Sequence, residues 1–172
     1  MTVPIISDSH GYGRRLENIF YNLNRINERV EELIFLGDGG RDIMGYIPDG
    51  VTAYAVLGNC DSRFSFPDAD GVPEERLEII GGKRILMMHG HRYGVKHSYL
   101  LAVQRASELC ADVLLFGHTH LPYYEMVPKG ETESGVVLSK PLHVFNPGAL
   151  CEGSFGLLTV KNGEILLSHG KV

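Results

Sequence analysis

The sequence predicts an α/β sandwich, with two β-sheets packed face to face and helices outside them. Three observations carry this. Short apolar runs alternate with amphipathic segments through the first two-thirds of the chain, and the last third reads as strands alone. The 172 residues amount to about one domain, here residues 1–172, and a chain of this size buries close to 70% of its unfolded surface without crosslinks.

The apolar runs are Val3–Ile6, Leu33–Leu36, Thr52–Leu57, Arg84–Met88 and Asp112–Phe116. Each is strand-length and bounded by glycine or polar residues, the texture of strands covered on both faces. Between the first two, Leu16, Ile19, Phe20, Leu23, Ile26 and Val30 recur at spacings of three and four, which predicts a helix over about Arg14–Val30. A short helix around Asp42–Ile47 stops before Pro48. Ser62–Arg76 is a loop long enough to act as a lid. Leu77–Ile80 pairs with Arg84–Met88 across Gly81-Gly82-Lys83. A second helix is expected over Val95–Ala111, turning Val95, Tyr99, Ala102, Val103, Ala106, Leu109 and Cys110 inward. After Pro122 the strands are Tyr123–Val127, Val136–Leu138, Leu142–Phe145, Phe155–Val160 and Ile165–Ser168. The turn Pro128–Gly135 and the Asn-Gly turn in Lys161-Asn162-Gly163 separate them.

Composition narrows the function classes. Hydrophobic residues make up 44% and charged residues 22%, which excludes a disordered chain. No apolar run approaches about 18 residues, so no membrane helix is expected. No signal peptide is visible at the N-terminus. A net charge of -5 argues against a broad nucleic-acid surface, which needs a basic patch. Cys60, Cys110 and Cys151 are odd in number and widely spaced, as in a reducing compartment, and a cytoplasmic location is expected.

All five apolar runs lead into residues able to hold a metal: Asp8 and His10; Gly37-Asp38; Gly58-Asn59-Cys60-Asp61; His89-Gly90-His91; and Gly117-His118-Thr119-His120. Ligands bind at the carboxyl ends of strands in open α/β sheets. Asp8 and His10, like His118 and His120, stand two apart, and in extended backbone such residues point to one side. The glycines before Asp38, Asn59 and His118 leave room for an ion or phosphate to approach the backbone. Asp oxygen with His nitrogen suits Mn, Fe, Zn or Ni rather than Ca.

In this order the motifs resemble those of the calcineurin-like metallophosphoesterases, with Asn146-Pro147-Gly148 similar to that family's later Asn-Pro-Gly turn. Asn-Cys-Asp, where larger members carry Asn-His-Glu or Asn-His-Asp, points to the small YfcE-like phosphodiesterase branch. The resemblance implies a four-layer αββα sandwich of two mixed sheets. It also implies two divalent ions, manganese first, with nickel, zinc or iron as alternatives. Asp8, His10 and His120 would hold one ion, Asn59, His89 and His118 the other, and Asp38 would bridge them.

The implied reaction is in-line attack of a metal-bridging hydroxide on a small phosphodiester. Asp38 and Asn59 would act within this machinery. Cys60 stands where the family has a histidine thought to protonate the leaving group, and Asp61 or His91 are the substitutes at hand. This departure predicts good leaving groups, and diesters over alkyl monoesters. Arg41, Arg63 and Arg92 flank the motif loops as candidate phosphate contacts, whereas His97, His143 and His169 match no motif and read as structural or exposed. Two alternatives stand beside the phosphodiesterase. One is a metal-poor protein-binding scaffold like the retromer subunit that resembles this family. The other is a phosphomonoesterase or phosphoprotein phosphatase. The strands of the last third offer edges for pairing into a homo-oligomer.

Overall fold

The computed structural model describes residues 1–26, 28–62, 65–66 and 71–172. Arg63, and residues 64 and 67–70 of the expected lid, lie outside the described residues. The first sheet contains β1 (Thr2–Ile6), β2 (Glu32–Phe35), β3 (Thr52–Ala55), β11 (Ser154–Lys161) and β12 (Glu164–Lys171), in the order β12-β11-β1-β2-β3. The second contains β4 (Glu75–Ile80), β5 (Lys83–Met88), β6 (Val113–Phe116), β7 (Tyr123–Val127) and β10 (Leu142–Asn146), in the order β4-β5-β6-β10-β7. A small ribbon pairs β8 (Gly130–Glu131) with β9 (Val137–Leu138).

Both sheets are mixed. β1, β2 and β3 run parallel, with β11 antiparallel to β1 and β12 antiparallel to β11. β5, β6 and β10 run parallel, with β4 and β7 antiparallel at the edges. Apart from the β8–β9 ribbon, the strands of the last third therefore build no sheet of their own. β11 and β12 extend the first sheet, and β10 and β7 extend the second.

Alternation along each strand assigns the layers. Val3, Ile5, Ile34, Leu36, Ile85, Met87, Val113 and Leu115 form the core between the sheets. Their neighbours Ile6, Leu33 and Phe35 pack on α1 (Arg15–Arg25) through Leu16, Ile19, Phe20 and Leu23. Leu86, Met88, Leu114 and Phe116 pack on α3 (Leu100–Glu108) through Ala102 and Ala106. A third helix, α2 (Gly40–Met44), joins the α1 layer through Ile43. The result is the expected αββα sandwich. Each fully buried Leu, Ile or Phe contributes about 1.5–3 kcal/mol.

Both long helices are shorter than their apolar patterns. α1 closes when the Glu28 amide bonds the Leu23 carbonyl at 3.1 Å, so Ile26, read as inward, is 68% exposed. α3 closes in a Schellman motif, with Ala111 N–H on Ala106 O at 2.9 Å and Cys110 N–H on Ser107 O at 3.0 Å. Cys110 is thereby the left-handed residue, at φ 48, and is exposed rather than packed. β3, read as covered on both faces, is an edge strand with Thr52 exposed. On the β7 edge, Tyr124 and Met126 are exposed.

Candidate metal centre

The carboxyl ends of β1, β2 and β3, which run from the middle of the first sheet to its edge, lie at the same end of the sandwich as those of β5, β6 and β10 at the centre of the second. Among the described residues, seven non-glycine residues have positive φ, and five of them lie here: Asp8 (φ 54), His10 (φ 38), Asp38 (φ 60), His118 (φ 66) and His120 (φ 62). Such backbone is uncommon and costs about 1–3 kcal/mol per residue. Left-handed turns, rather than extended backbone, therefore set the direction of these side chains.

Two groups of ligand atoms result, each within 4.8 Å of one another: Asp8, His10 and His120, and Asp38, His89 and His118. Asp8 and His10 share a group as their spacing predicts. His118 and His120 are split between groups, contrary to the expectation that each i, i+2 pair aims at one point. A third group joins His10, Asp38 and Cys60, so the thiol borders both clusters.

Asp8 is fully buried. Its Oδ2 accepts from Ser7 Oγ at 2.6 Å and from the His118 amide at 3.1 Å. Its Oδ1 is buried without a hydrogen-bond partner among the described residues. Around that oxygen stand Nε2 of His120 at 3.2 Å, of His10 at 3.8 Å and of His89 at 3.9 Å. Asp38 is 3% exposed; its Oδ1 accepts the Cys60 amide at 2.7 Å and its Oδ2 lies 3.3 Å from His89 Nε2. Burial pushes its pKa up, but the His89 contact and the Cys60 amide outweigh this and hold the carboxyl well below the usual range.

His89 is fully buried, and its Nδ1 lies 2.7 Å from the Leu36 carbonyl oxygen. A carbonyl only accepts, so Nδ1 carries the proton, and Nε2 faces Asp38 and, at 3.2 Å, His118 Nδ1. Burial, then the neighbouring His89, push His118 down to about 4, which keeps this ring neutral and able to ligate.

Asp61 sits beside the clusters, but its carboxylate is taken up by the backbone. Oδ2 accepts the amides of Asp38 at 2.7 Å and Gly58 at 3.0 Å, and Oδ1 those of Gly39 at 3.0 Å and Gly40 at 2.9 Å. This fixes the β2 and β3 loops together and commits the Asp61 carboxylate to the backbone. Asn59 is exposed and its Nδ2 lies 3.3 Å from Cys60 Sγ. The His91 ring lies tilted to that of His89, 5.5 Å away, and edge-on to that of His118, 6.1 Å away by ring centroids. Arg92 is tied to Glu74 at 2.6 Å, and Arg41 is exposed.

The room left by the glycines is filled by the protein itself. A Cβ on Gly58 would stand 2.0 Å from Asp38 Oδ1, and one on Gly117 1.9 Å from Ser7 Oγ. Sequence reasoning missed Ser7, and missed Asn146 as a brace. The buried Asn146 amide donates to Gly117 O at 2.9 Å and Thr119 Oγ1 at 3.0 Å, holding the His118–His120 loop. His169 in turn lies 2.8 Å from the Asn146 carbonyl through Nε2, the structural role expected of it.

Residues 1–170 match the calcineurin-like phosphoesterase superfamily domain. The chain belongs to this superfamily. The probable metallophosphoesterase YsnB of Bacillus subtilis is 34% identical over 163 residues, covering 94% of this chain and 86% of YsnB. Phosphodiesterase YfcE of Escherichia coli K12 is 29% identical over 170 residues, covering 87% of this chain and 79% of YfcE. A Vps29 point mutant from Entamoeba histolytica superposes with a TM-score of 0.67 at 20% identity, covering 100% of this chain and 99% of that one; the likeness is one of fold. As a member of the superfamily the chain is a metal-dependent phosphoester hydrolase. The described residues include no helix long and apolar enough to cross a membrane.

Proposed function

We propose that this phosphoesterase hydrolyses small phosphodiesters at a centre of two divalent ions. The observation that carries the reading is Asp8 Oδ1, buried without a hydrogen-bond partner among the described residues and faced by three imidazole nitrogens. A buried charged oxygen left unpaired is costly, and a borderline divalent cation is the partner that carboxylate and imidazole share.

We assign Asp8, His10 and His120 to one ion and His89, His118 and Asn59 to the other, with Asp38 between them. Manganese is our first choice, then nickel, zinc or iron. When bound, the pair of ions neutralises phosphoryl oxygens and acidifies a water molecule.

The chain's own residues do the rest. Ser7 and the His118 amide occupy Asp8 Oδ2 and so turn Oδ1 to the site. The Cys60 amide does the same for Asp38, and the Leu36 carbonyl fixes the His89 tautomer. Two carboxylates against two divalent cations leave the site about +2 within a chain of net charge -5, which draws phosphate in. Cys60, a weak donor in place of a histidine, favours esters with good leaving groups and diesters over monoesters. The name of the relative YfcE supports the diester reading. The three free cysteines suit a reducing compartment, and we place the protein in the cytoplasm.

The test is hydrolysis of an aryl phosphodiester and the matching monoester by metal-stripped protein titrated with Mn, Ni, Zn and Mg. His89→Ala and Asp38→Asn run alongside. Activity rising to two equivalents of metal, faster on the diester and lost in both variants, is expected. Folded protein inactive with every metal would put the protein-binding scaffold first, the reading favoured by Cys60 and by the Vps29-like fold.

A further inference from the structure

We propose that this chain forms a two-fold dimer in which β4 pairs antiparallel with β4 of a second copy, setting Arg76 opposite the partner's Glu78. The second sheets of the two copies then run on as one.

β4 (Glu75–Ile80) is an edge strand. The direction of its backbone groups follows from the hairpin to β5. Gly81 (φ 58) and Gly82 (φ 79) form the tight turn, and Ile80 faces Lys83 across it. In a two-residue hairpin that pair exchanges hydrogen bonds. Alternation then turns the N–H and C=O groups of Ile80, Glu78 and Arg76 toward β5, and those of Ile79, Leu77 and Glu75 outward. The far side of β5 agrees. The Arg84 carbonyl, opposite Ile79, accepts from the Asp112 amide at 2.8 Å and so points toward β6. Among the described residues, no protein hydrogen bond satisfies the outward amides of Glu75, Leu77 and Ile79. A free edge of this kind is a template for a further strand.

The faces of the strand select the register. Ile80 lies in the core between the sheets and Leu77 packs on the α3 side. Arg76 and Glu78 therefore share the face of Ile80, and Glu75 and Ile79 that of Leu77. A two-fold axis normal to the sheet returns every residue to its own face, so only residues of one face meet across it. With the axis at Leu77, that residue meets its own copy and Glu75 meets the partner's Ile79, both as hydrogen-bonded pairs. Arg76 meets the partner's Glu78 on each side of the axis, in the closer, non-hydrogen-bonded positions, about 4.5 Å apart at Cα. An axis at Arg76 or at Glu78 would instead set two guanidinium groups or two carboxylates face to face, which is destabilising. Within one copy Arg76 and Glu78 lie 3.4 Å apart with 30% and 34% of their side chains exposed, so both charges remain open to a second partner. Ile79, 68% exposed, would be covered beside the partner's Leu77.

The other edges lack this complementarity. β3 carries no charge, β7 carries the single charge of Glu125, and β12 holds Glu164 and Lys171 on opposite faces.

Sedimentation equilibrium of the full chain, from micromolar to submillimolar concentration, should show monomer in exchange with dimer. In Arg76→Glu each cross-pair becomes two carboxylates, and in Glu78→Arg two guanidinium groups. Each variant alone should dimerise about tenfold more weakly, with its circular dichroism unchanged. Mixing the two variants restores both opposite-charge pairs in a heterodimer, and native mass spectrometry should find that species in preference to either homodimer. A charge pair confined to one copy could not be mended by mixing. Ile79→Asp changes an exposed residue, which folding tolerates, and sets a carboxylate against the partner's Glu75; it should weaken the dimer as well. A wild-type chain that stays monomeric, variants that dimerise as tightly as the wild type, or a mixture that forms no heterodimer would each overturn the pairing.

Discussion

The Nδ1–H of His89, at the end of β5 in the second sheet, donates to the carbonyl of Leu36, just past β2 in the first, at 2.7 Å. The ring that faces Asp38 and His118 is therefore oriented by the opposite layer of the sandwich. Packing of the two sheets and geometry of the site are one property here, since a slip between the layers would turn Nε2 away from both clusters.

Replacing His89 with alanine should act on both. It removes a ligand atom of the second cluster and leaves the buried Leu36 carbonyl without its donor, a loss of about 1–3 kcal/mol. Elemental analysis should find one tightly bound metal equivalent in place of two, and urea unfolding should show the stability loss in metal-free protein. Two retained equivalents would remove His89 from the ligand set.

How much of this was legible in the sequence follows from the atoms involved. Asp8, His10, Asp38, His89, His118 and His120 announce themselves by side-chain chemistry at strand ends, and the structure gathers all six at one end of the fold. Leu36, Ser7 and Asn146 act through a backbone carbonyl, a hydroxyl beside its own neighbour, and an amide aimed at a loop 29 residues away, and no local pattern signals these. The layers were legible because runs such as Val3–Ile6 are apolar throughout, as strands covered on both faces must be. The division of the last strands between two sheets was not, because strand order is a non-local property. Cys110 reads as packed because its spacing continues the helix, whereas its left-handed φ is set by the closing bonds of Ala111 and Cys110 itself.

Asp61 separates a brace from an acid. Its carboxylate accepts four backbone amides, and in Asp61→Asn an NH₂ would face two of those donors. We expect a stability loss of about 3 kcal/mol or more and reduced turnover, with the pH dependence of the remaining activity unchanged in shape. Loss of one limb of the pH profile at unaltered stability would instead return Asp61 to proton transfer.

Acid should weaken the outer layer around α3. Arg105 bonds the Glu75 carboxylate and, against the opposing effect of burial, holds its pKa below the usual value, helped by the Tyr93 hydroxyl. Because the folded value is lower than the unfolded one, the stability Glu75 contributes is complete above about pH 4.5, the ordinary range of a glutamate. It is lost as pH falls through the depressed value. Chemical unfolding from pH 7 to pH 3 should therefore show a shallower loss in Glu75→Gln than in the wild type, and parallel curves would rule the linkage out.

Cys110 occupies the left-handed position of the α3 Schellman closure at φ 48, where a side chain costs about 1–2 kcal/mol and glycine is the usual occupant. It is exposed, so little packing is lost on removing the thiol. Cys110→Gly should raise the melting temperature by about 2–4 °C, the shift for about 1 kcal/mol in a chain of this size. A lower melting temperature would mean that the thiol packs after all.

The glycines test how closely the motif loops must approach. A Cβ on Gly58 would stand 2.0 Å from Asp38 Oδ1 and 2.4 Å from the Asp38 amide nitrogen, and neither atom can yield. The carboxylate is pinned by the Cys60 amide and the amide nitrogen by Asp61. Gly58→Ala should therefore displace the β2 loop, cost more than about 2 kcal/mol, and weaken metal binding together with turnover. Gly45 is the control: at φ -75 with nothing within 4 Å of its added Cβ, alanine there should be neutral or stabilise by about 0.4–1 kcal/mol. Metal affinity falling in Gly58→Ala alone would tie the site to the contact between these two loops. Equal metal affinity in both variants would show that Asp38 keeps its place without it.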